Sequence, residues 1–190
     1  MTSNPHRTIM AAPTGLKMTS SPLQVSASVF ESAPNTFTSE EIPLTLNVLD
    51  NEVFVITQIN IDVESPDMLF SGAAPGSISR STNATLSTTQ RTTIGNISES
   101  NVVGQAAREI ITTVDVTPLV ASAVFDREDP QFSAISEDYL AIVATNNMFL
   151  NIQSVDNIAT KSARVRVYGY RASASSSVYA ALVQSELLSA

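Results

Sequence analysis

"VFVITQINIDVE", residues 53–64, decides how the rest of the chain is read. With a period of two, Val53, Val55, Ile59, Ile61 and Val63 fall on one face and Gln58, Asn60, Asp62 and Glu64 on the other. On a helix these two sets would scatter around the circumference. The stretch is therefore a strand with its apolar face turned to a core, and it predicts a β-rich protein.

The same pattern extends outward. Leu23, Val25, Ala27 and Val29 alternate before it, as do Ile42, Leu44, Leu46 and Val48, with the turn "LDNE" in between. After it comes the turn-rich loop "SPDMLFSGAAPGS". Residues 77–99 are rich in Ser, Thr and Asn, which suits edge strands and loops on an outer surface. "REIITTVDVTPLVASAVFD" contains at least one strand, which Pro118 ends or marks as an edge. "EDPQF" reads as a turn. "DYLAIVATNNMFLNIQSVDN" reads as two strands joined at Asn146-Asn147, a hairpin. The tail "SSSVYAALVQSELL" fits a short helix capped by Ser177, with Tyr179, Leu182, Val183 and Leu187 on one side, and fits a final strand nearly as well. About eight strands and no long helix call for two packed antiparallel sheets, an all-β sandwich or jelly roll. The expected organisation is an N-terminal arm over 1–21, one sandwich over 22–175 and a C-terminal extension over 176–190.

At 190 residues, one domain has room for a real core. Charge is sparse: 15% of residues are Asp, Glu, Lys or Arg, against about 25% in an average soluble domain. The 45 Ser and Thr residues take their place, which suits a β-rich surface covered by neighbours. The net charge of −8 works against non-specific binding to nucleic acid or anionic membrane. It is uneven, with eight acidic and two basic side chains in residues 1–79 but one acidic and four basic in residues 161–190. Opposite charge at the two ends favours contact between them, within a copy or between copies.

Material for chemistry is scarce. His6 is the only histidine and there is no cysteine, so a Ser-His-Asp triad, a multi-histidine metal site and a thiolate site lack their residues. No glycine-rich phosphate loop occurs. Asp62 and Glu64 share a strand face at the spacing of a carboxylate pair, but no aromatic cleft accompanies them and the chain has no Trp. Asp126, Glu128 and Asp129 in "DREDP" offer oxygen ligands to calcium without the spacing or glycine of an EF-hand loop. Asn83 and Asn96 head glycosylation sequons, read as ordinary loop sequence because "MTSNPHRTIMAAPTGLK" lacks the apolar region of a signal peptide. No catalytic, cofactor-binding or metal-binding residues are assigned, and no small-molecule substrate.

One stretch stands out. In "TKSARVRVYGYRAS", residues 160–173, Ala163, Val165, Val167 and Gly169 alternate with Arg164, Arg166, Tyr168 and Tyr170. Arg and Tyr on one strand face resemble a stacking platform for single-stranded nucleic acid. The same two residue types are enriched where proteins meet proteins, and four positive charges in an acidic chain give only a weak counterion-release term. Arg164, Arg166, Tyr168 and Tyr170 are accordingly the candidate subunit-interface residues.

Taken in order, an N-terminal arm, "IPLTLNVLDNEVFVITQINIDVES", a polar middle, "PLVASAVFD" and "DYLAIVATNNMFLNIQSVDNIATKSARVRVYGYRA" resemble the small single jelly-roll capsid proteins of tailless icosahedral viruses of bacteria or archaea. The likeness is one of strand order and texture over roughly residues 23–172. It implies a virion shell subunit without catalytic activity, made in the host cytoplasm, whose partners are copies of itself and other capsid proteins. Many such proteins carry a basic arm for the genome, whereas residues 1–21 offer only Arg7 and Lys17. The arm is therefore expected to meet protein or an internal membrane rather than nucleic acid. Two other classes stay open: a β-sandwich subunit of a fibre or appendage, and a non-catalytic binding module.

Overall fold

A computed structural model of the protein describes residues 12–68, 76–114, 120–128, 131–132 and 139–188. Those residues form two antiparallel sheets packed face to face, an all-β sandwich with one helix. The strands are β1 (Leu16–Met18), β2 (Leu23–Phe30), β3 (Thr38–Pro43), β4 (Glu52–Val63), β5 (Gly76–Ser87), β6 (Val102–Val114), β7 (Val120–Glu128), β8 (Gln131–Phe132), β9 (Ala141–Val143), β10 (Asn147–Val155) and β11 (Ser162–Ala174). Helix α1 spans Ser176–Leu188. In the first sheet β11 and β4 lie side by side at the centre. β1 and β2 share the outer edge of β11, and β8 and β9 share that of β4. The second sheet runs β3-β10-β5-β6-β7. The pairing is thus nested, from chain-distant strands inward to consecutive ones: β2 with β11, β3 with β10, β4 with β9, and β5 with β6.

The space between the sheets is filled by apolar side chains, among them Ile42, Leu44, Phe54, Ile56, Ile59, Ile61, Leu86, Met148, Leu150, Ile152, Val165 and Val167. Residues 53–64 form the expected strand, but its two halves face opposite ways. Tyr168 pairs with Gln58 and Gly169 with Ile56, which leaves Thr57 as an extra residue, a β-bulge. Ile59, Ile61 and Val63 point into the sandwich; Val53 and Val55, expected to join them, point outward, and Phe54 and Ile56 take the inner positions. A one-residue insertion reverses every side chain beyond it. Both sets remain buried because the outer side of this end is covered too.

The cover is α1. Val178, Tyr179, Leu182 and Val183 on one side of the helix, with Leu16 and Met18 of β1, pack over Val53, Val55, Tyr170 and Ala172. The helix begins two residues earlier than a Ser177 cap would place it: Ser175 C=O accepts the Tyr179 N–H at 2.9 Å, so Ser175 occupies the capping position. Tyr179, Leu182 and Val183 lie on the packed side as read; the Leu187 side chain is outside the described residues.

Two further expectations are corrected. β9 and β10 do not form a hairpin, because β9 pairs with β4 and β10 with β3 and β5, in different sheets. The Asn146-Asn147 turn crosses between layers, held there by Asn146, whose backbone C=O and side-chain Oδ1 accept the Leu44 and Leu46 N–H groups at 2.8 Å each. Residues 76–87 are not an edge strand; β5 sits between β10 and β6. Its hydroxyls did not keep it at the surface because Thr85 and Ser87 are buried with the Asn151 amide on β10, which donates to Ser87 Oγ at 3.0 Å.

Candidate functional site

The half of the first sheet that α1 leaves uncovered presents a flat polar face. Strand register builds it as a grid. Arg164 lies between Ser28 of β2 and Asp62 of β4, Arg166 between Ser26 and Asn60, and Tyr168 between Gln24 and Gln58. Alternation along three adjacent strands thus brings together nine outward side chains from positions more than a hundred residues apart, with no apolar residue among them. Two cations stand against one carboxylate. Arg164 Nη1 is 3.6 Å from Asp62 Oδ2, both side chains exposed, and the Arg166 guanidinium makes a long contact of 3.5 Å with the Tyr168 hydroxyl. A shallow depression runs along the arginines, floored by Ala27 and Val165 and walled by Ser26, Ser28, Asn60 and Asp62.

Three of the four sequence-predicted residues therefore share one open surface. Tyr170 does not. It is on the same side of β11, but it is 1% exposed, sealed beneath the helix with Val53, Val55 and Ala172. Periodicity placed its face correctly and could not foresee the cover. Phe30 was missed. It continues the outward row of β2 beyond Ser28, opposite Ser162, and leaves its ring 64% exposed at the rim. Its alternation with Val29 was the available signal.

Of the carboxylates weighed for chemistry, the three whose side chains are described each have a partner. Glu64 Oε2 accepts the Ser162 N–H at 3.1 Å and the Ser162 hydroxyl at 2.8 Å, while Asp62 faces Arg164. Asp126 Oδ1 meets Arg108 Nε at 2.5 Å; Asp129 and His6 lie outside the described residues, as does the Glu128 side chain. Among the described residues no three His, Cys, Asp or Glu side chains gather as metal ligands, and no helix is long and apolar enough to cross a membrane.

A second polar assembly, not anticipated, closes one end of the sandwich. The buried Glu31 carboxylate accepts the Ser154 N–H at 2.6 Å, the Ser154 hydroxyl at 2.8 Å and the Lys161 N–H at 2.9 Å. Beside it, Lys161 Nζ donates to Asp67 Oδ1 at 2.6 Å, and the other Asp67 oxygen accepts the Ile158 and Ala159 N–H groups at 2.7 and 2.9 Å. Burial alone would raise the Asp67 pKa; the Lys161 ammonium and the two amides outweigh it and hold the group at about 2. Every oxygen here points at a backbone or side-chain donor of the same chain, so the cluster ties the loops after β2, β4 and β10 together and presents no open coordination.

No protein-family model matches the chain, and no curated protein sequence is significantly similar to it.

Proposed function

We propose that the protein is a non-catalytic structural subunit that assembles with copies of itself into a virus shell, on a single jelly-roll framework. The nested strand pairing carries this reading. Pairs β2·β11, β3·β10, β4·β9 and β5·β6 are what a long hairpin makes when its two arms wind together, giving facing sheets β2-β11-β4-β9 and β3-β10-β5-β6. Eight-stranded jelly rolls, common in capsid proteins, have this form. β7 adds a strand beyond it.

A jelly roll also serves lectins and cupins, so the choice rests on sites rather than fold. The sheet-to-sheet space holds Ile, Leu, Val, Phe and Met side chains, which leaves outer faces and edges for recognition. The grid around Arg164 and Arg166 is flat, near neutral and rich in hydrogen-bonding groups, with Tyr168 and exposed Phe30 as aromatic anchors. Such a surface suits a protein partner better than a polyanion, which would meet the field of a chain at −8. On this reading the protein resides in the virion after synthesis in the host cytoplasm, and its partners are further copies and other capsid proteins. The N-terminal segment contacts protein or an internal membrane.

Size-exclusion chromatography with light scattering over a range of protein concentrations tests the proposal. Growth to one closed, high-mass species is expected. Open-ended filaments would move the protein to the fibre or appendage class, and a monomer at every concentration to the binding-module class; either overturns the shell reading.

A further inference from the structure

We propose that β7 is a docking edge for the β7 strand of a second copy, the two joined antiparallel about a two-fold axis into one continuous sheet. This deepens the assembly reading by naming one of its contacts.

β7 ends the β3-β10-β5-β6-β7 sheet. It follows β6 through nine consecutive register positions, from Ala106↔Glu128 to Val114↔Val120, with no bulge, and no described strand pairs with its other side. Residues 121–126 are exposed whichever way they point, with Val124 57% and Phe125 53% exposed. An open edge is a row of backbone donors and acceptors ready to pair, and proteins blunt such edges with short strands, charge, proline or bulges. The opposite edge of the same sheet, β3, is six residues long and carries Glu40, Glu41 and Pro43. β8 and β9, at an edge of the other sheet, have two and three residues. β7 runs uncharged and without proline from Val120 to Phe125.

The occupant follows from the strand's match to itself. In a two-fold antiparallel pair centred on Val124, Val124 meets its own copy, small Ala123 sits opposite the large Phe125, and the Ser122 hydroxyl sits opposite the Asp126 carboxylate. Paired positions keep the same face, as side-chain alternation requires. Moving the centre to Phe125 would place Val124 against Asp126, so apolar matching selects the first register. Asp126 meets its neighbour already paired with Arg108 of its own chain, which lowers the repulsion between two acidic edges. An isologous contact of this kind closes as a dimer. Combined with a contact through the Arg164 face on the other sheet, it lets dimers be joined further.

The chain has no cysteine, so Val124→Cys places the only thiol on the axis, where paired Cα atoms lie roughly 4.5–5.5 Å apart, within disulfide reach. Under mild oxidation at micromolar concentration, V124C should become predominantly a disulfide-linked dimer, at least tenfold faster than Ile97→Cys in the β5–β6 loop. Val124→Lys, a change at an exposed site, should keep the circular-dichroism spectrum and the melting curve while abolishing the dimer. Equal cross-linking of V124C and I97C overturns the proposal, as does a V124K chain that associates like the wild type. So does loss of V124C cross-linking on removal of residues 1–11, which would assign the edge to the N-terminal segment. Closed particles from V124K would refute the edge and leave the shell reading standing. Cross-linked V124C from a wild type that never exceeds a dimer would do the reverse.

Discussion

The fold holds the charge of Asp67 firmly. Its pKa of about 2 lies below the ordinary 3.8 because Lys161 and two backbone amides favour the carboxylate more than burial disfavours it. A depressed acid stabilises the native state above its unfolded pKa and loses that contribution as pH falls through the folded one. Urea denaturation should therefore show about 2 kcal/mol lost between pH 5 and pH 2, a component missing from Asp67→Asn. At pH 7 that variant should itself cost about 3 kcal/mol, since it leaves the Lys161 ammonium, 4% exposed, without its counter-charge. Gly169 is constrained sterically instead. A Cβ there would stand 2.2 Å from the Val55 carbonyl oxygen and 2.8 Å from the Phe54 ring. Gly169→Ala should destabilise by about 3 kcal/mol in the same assay, at the upper end of overpacking costs. Neither role was legible in advance. The partners of the Asp67 carboxylate are 91 to 94 residues away, and no periodicity reports a contact made by loops that meet only after both sheets have formed. The alternation of Arg164, Arg166 and Tyr168 was legible because a strand fixes side-chain direction locally.

Elements were read well where one face is wet and poorly where both are dry. In β2, apolar and polar residues alternate from Leu23 to Val29, and the inward set Leu23, Val25, Ala27 and Val29 was correct. In β4 the run Val53-Phe54-Val55-Ile56 is apolar at every position, so it fits either parity, and the Thr57 bulge chose the one that parity counting did not. The run is apolar throughout because α1 covers its outer side, and a helix with Tyr179, Leu182, Val183 and Leu187 on one side was one of two open readings of the tail. α1 is also pinned by a carboxylate: Glu186 Oε1 accepts the Ala144 N–H at 2.9 Å, and the Tyr179 hydroxyl donates to the Ala144 C=O at 3.4 Å. Burial raises the Glu186 pKa despite the amides of Ala144 and Thr145 that lower it. A raised acid contributes stability below its unfolded pKa and loses it as pH rises through the folded one. Glu186→Gln keeps an acceptor for Ala144 and removes the desolvated charge. It should raise the Tm at pH 7, with the gain shrinking as pH approaches 4.5; a lower Tm at pH 7 would mean that the charge itself holds the helix.

At the scale of the whole molecule, the uncovered grid and the open β7 edge lie on different sheets, so the two proposed contacts would lead in different directions. Leu16–Met18 pairs with Ala172–Ala174 and supplies Leu16 and Met18 to the cluster under α1. A chain starting at Pro22 should melt several degrees lower than one starting at Ala12, as loss of about 1–2 kcal/mol would produce in a domain of this size. Two packed sheets were readable from alternation, and strand pairing was not, because nested partners such as β2 and β11 are separated by most of the sequence. The claim on which the functional account turns is that copies assemble through the Arg164 and Arg166 face. Electron microscopy of the purified wild type beside the Arg164→Gln/Arg166→Gln double variant, at matched concentration in low salt, tests it most directly. Closed shells of uniform diameter are expected from the wild type, and few or none from a double variant with an unchanged melting curve. Equal numbers of particles from both proteins, or none from the wild type, would contradict it.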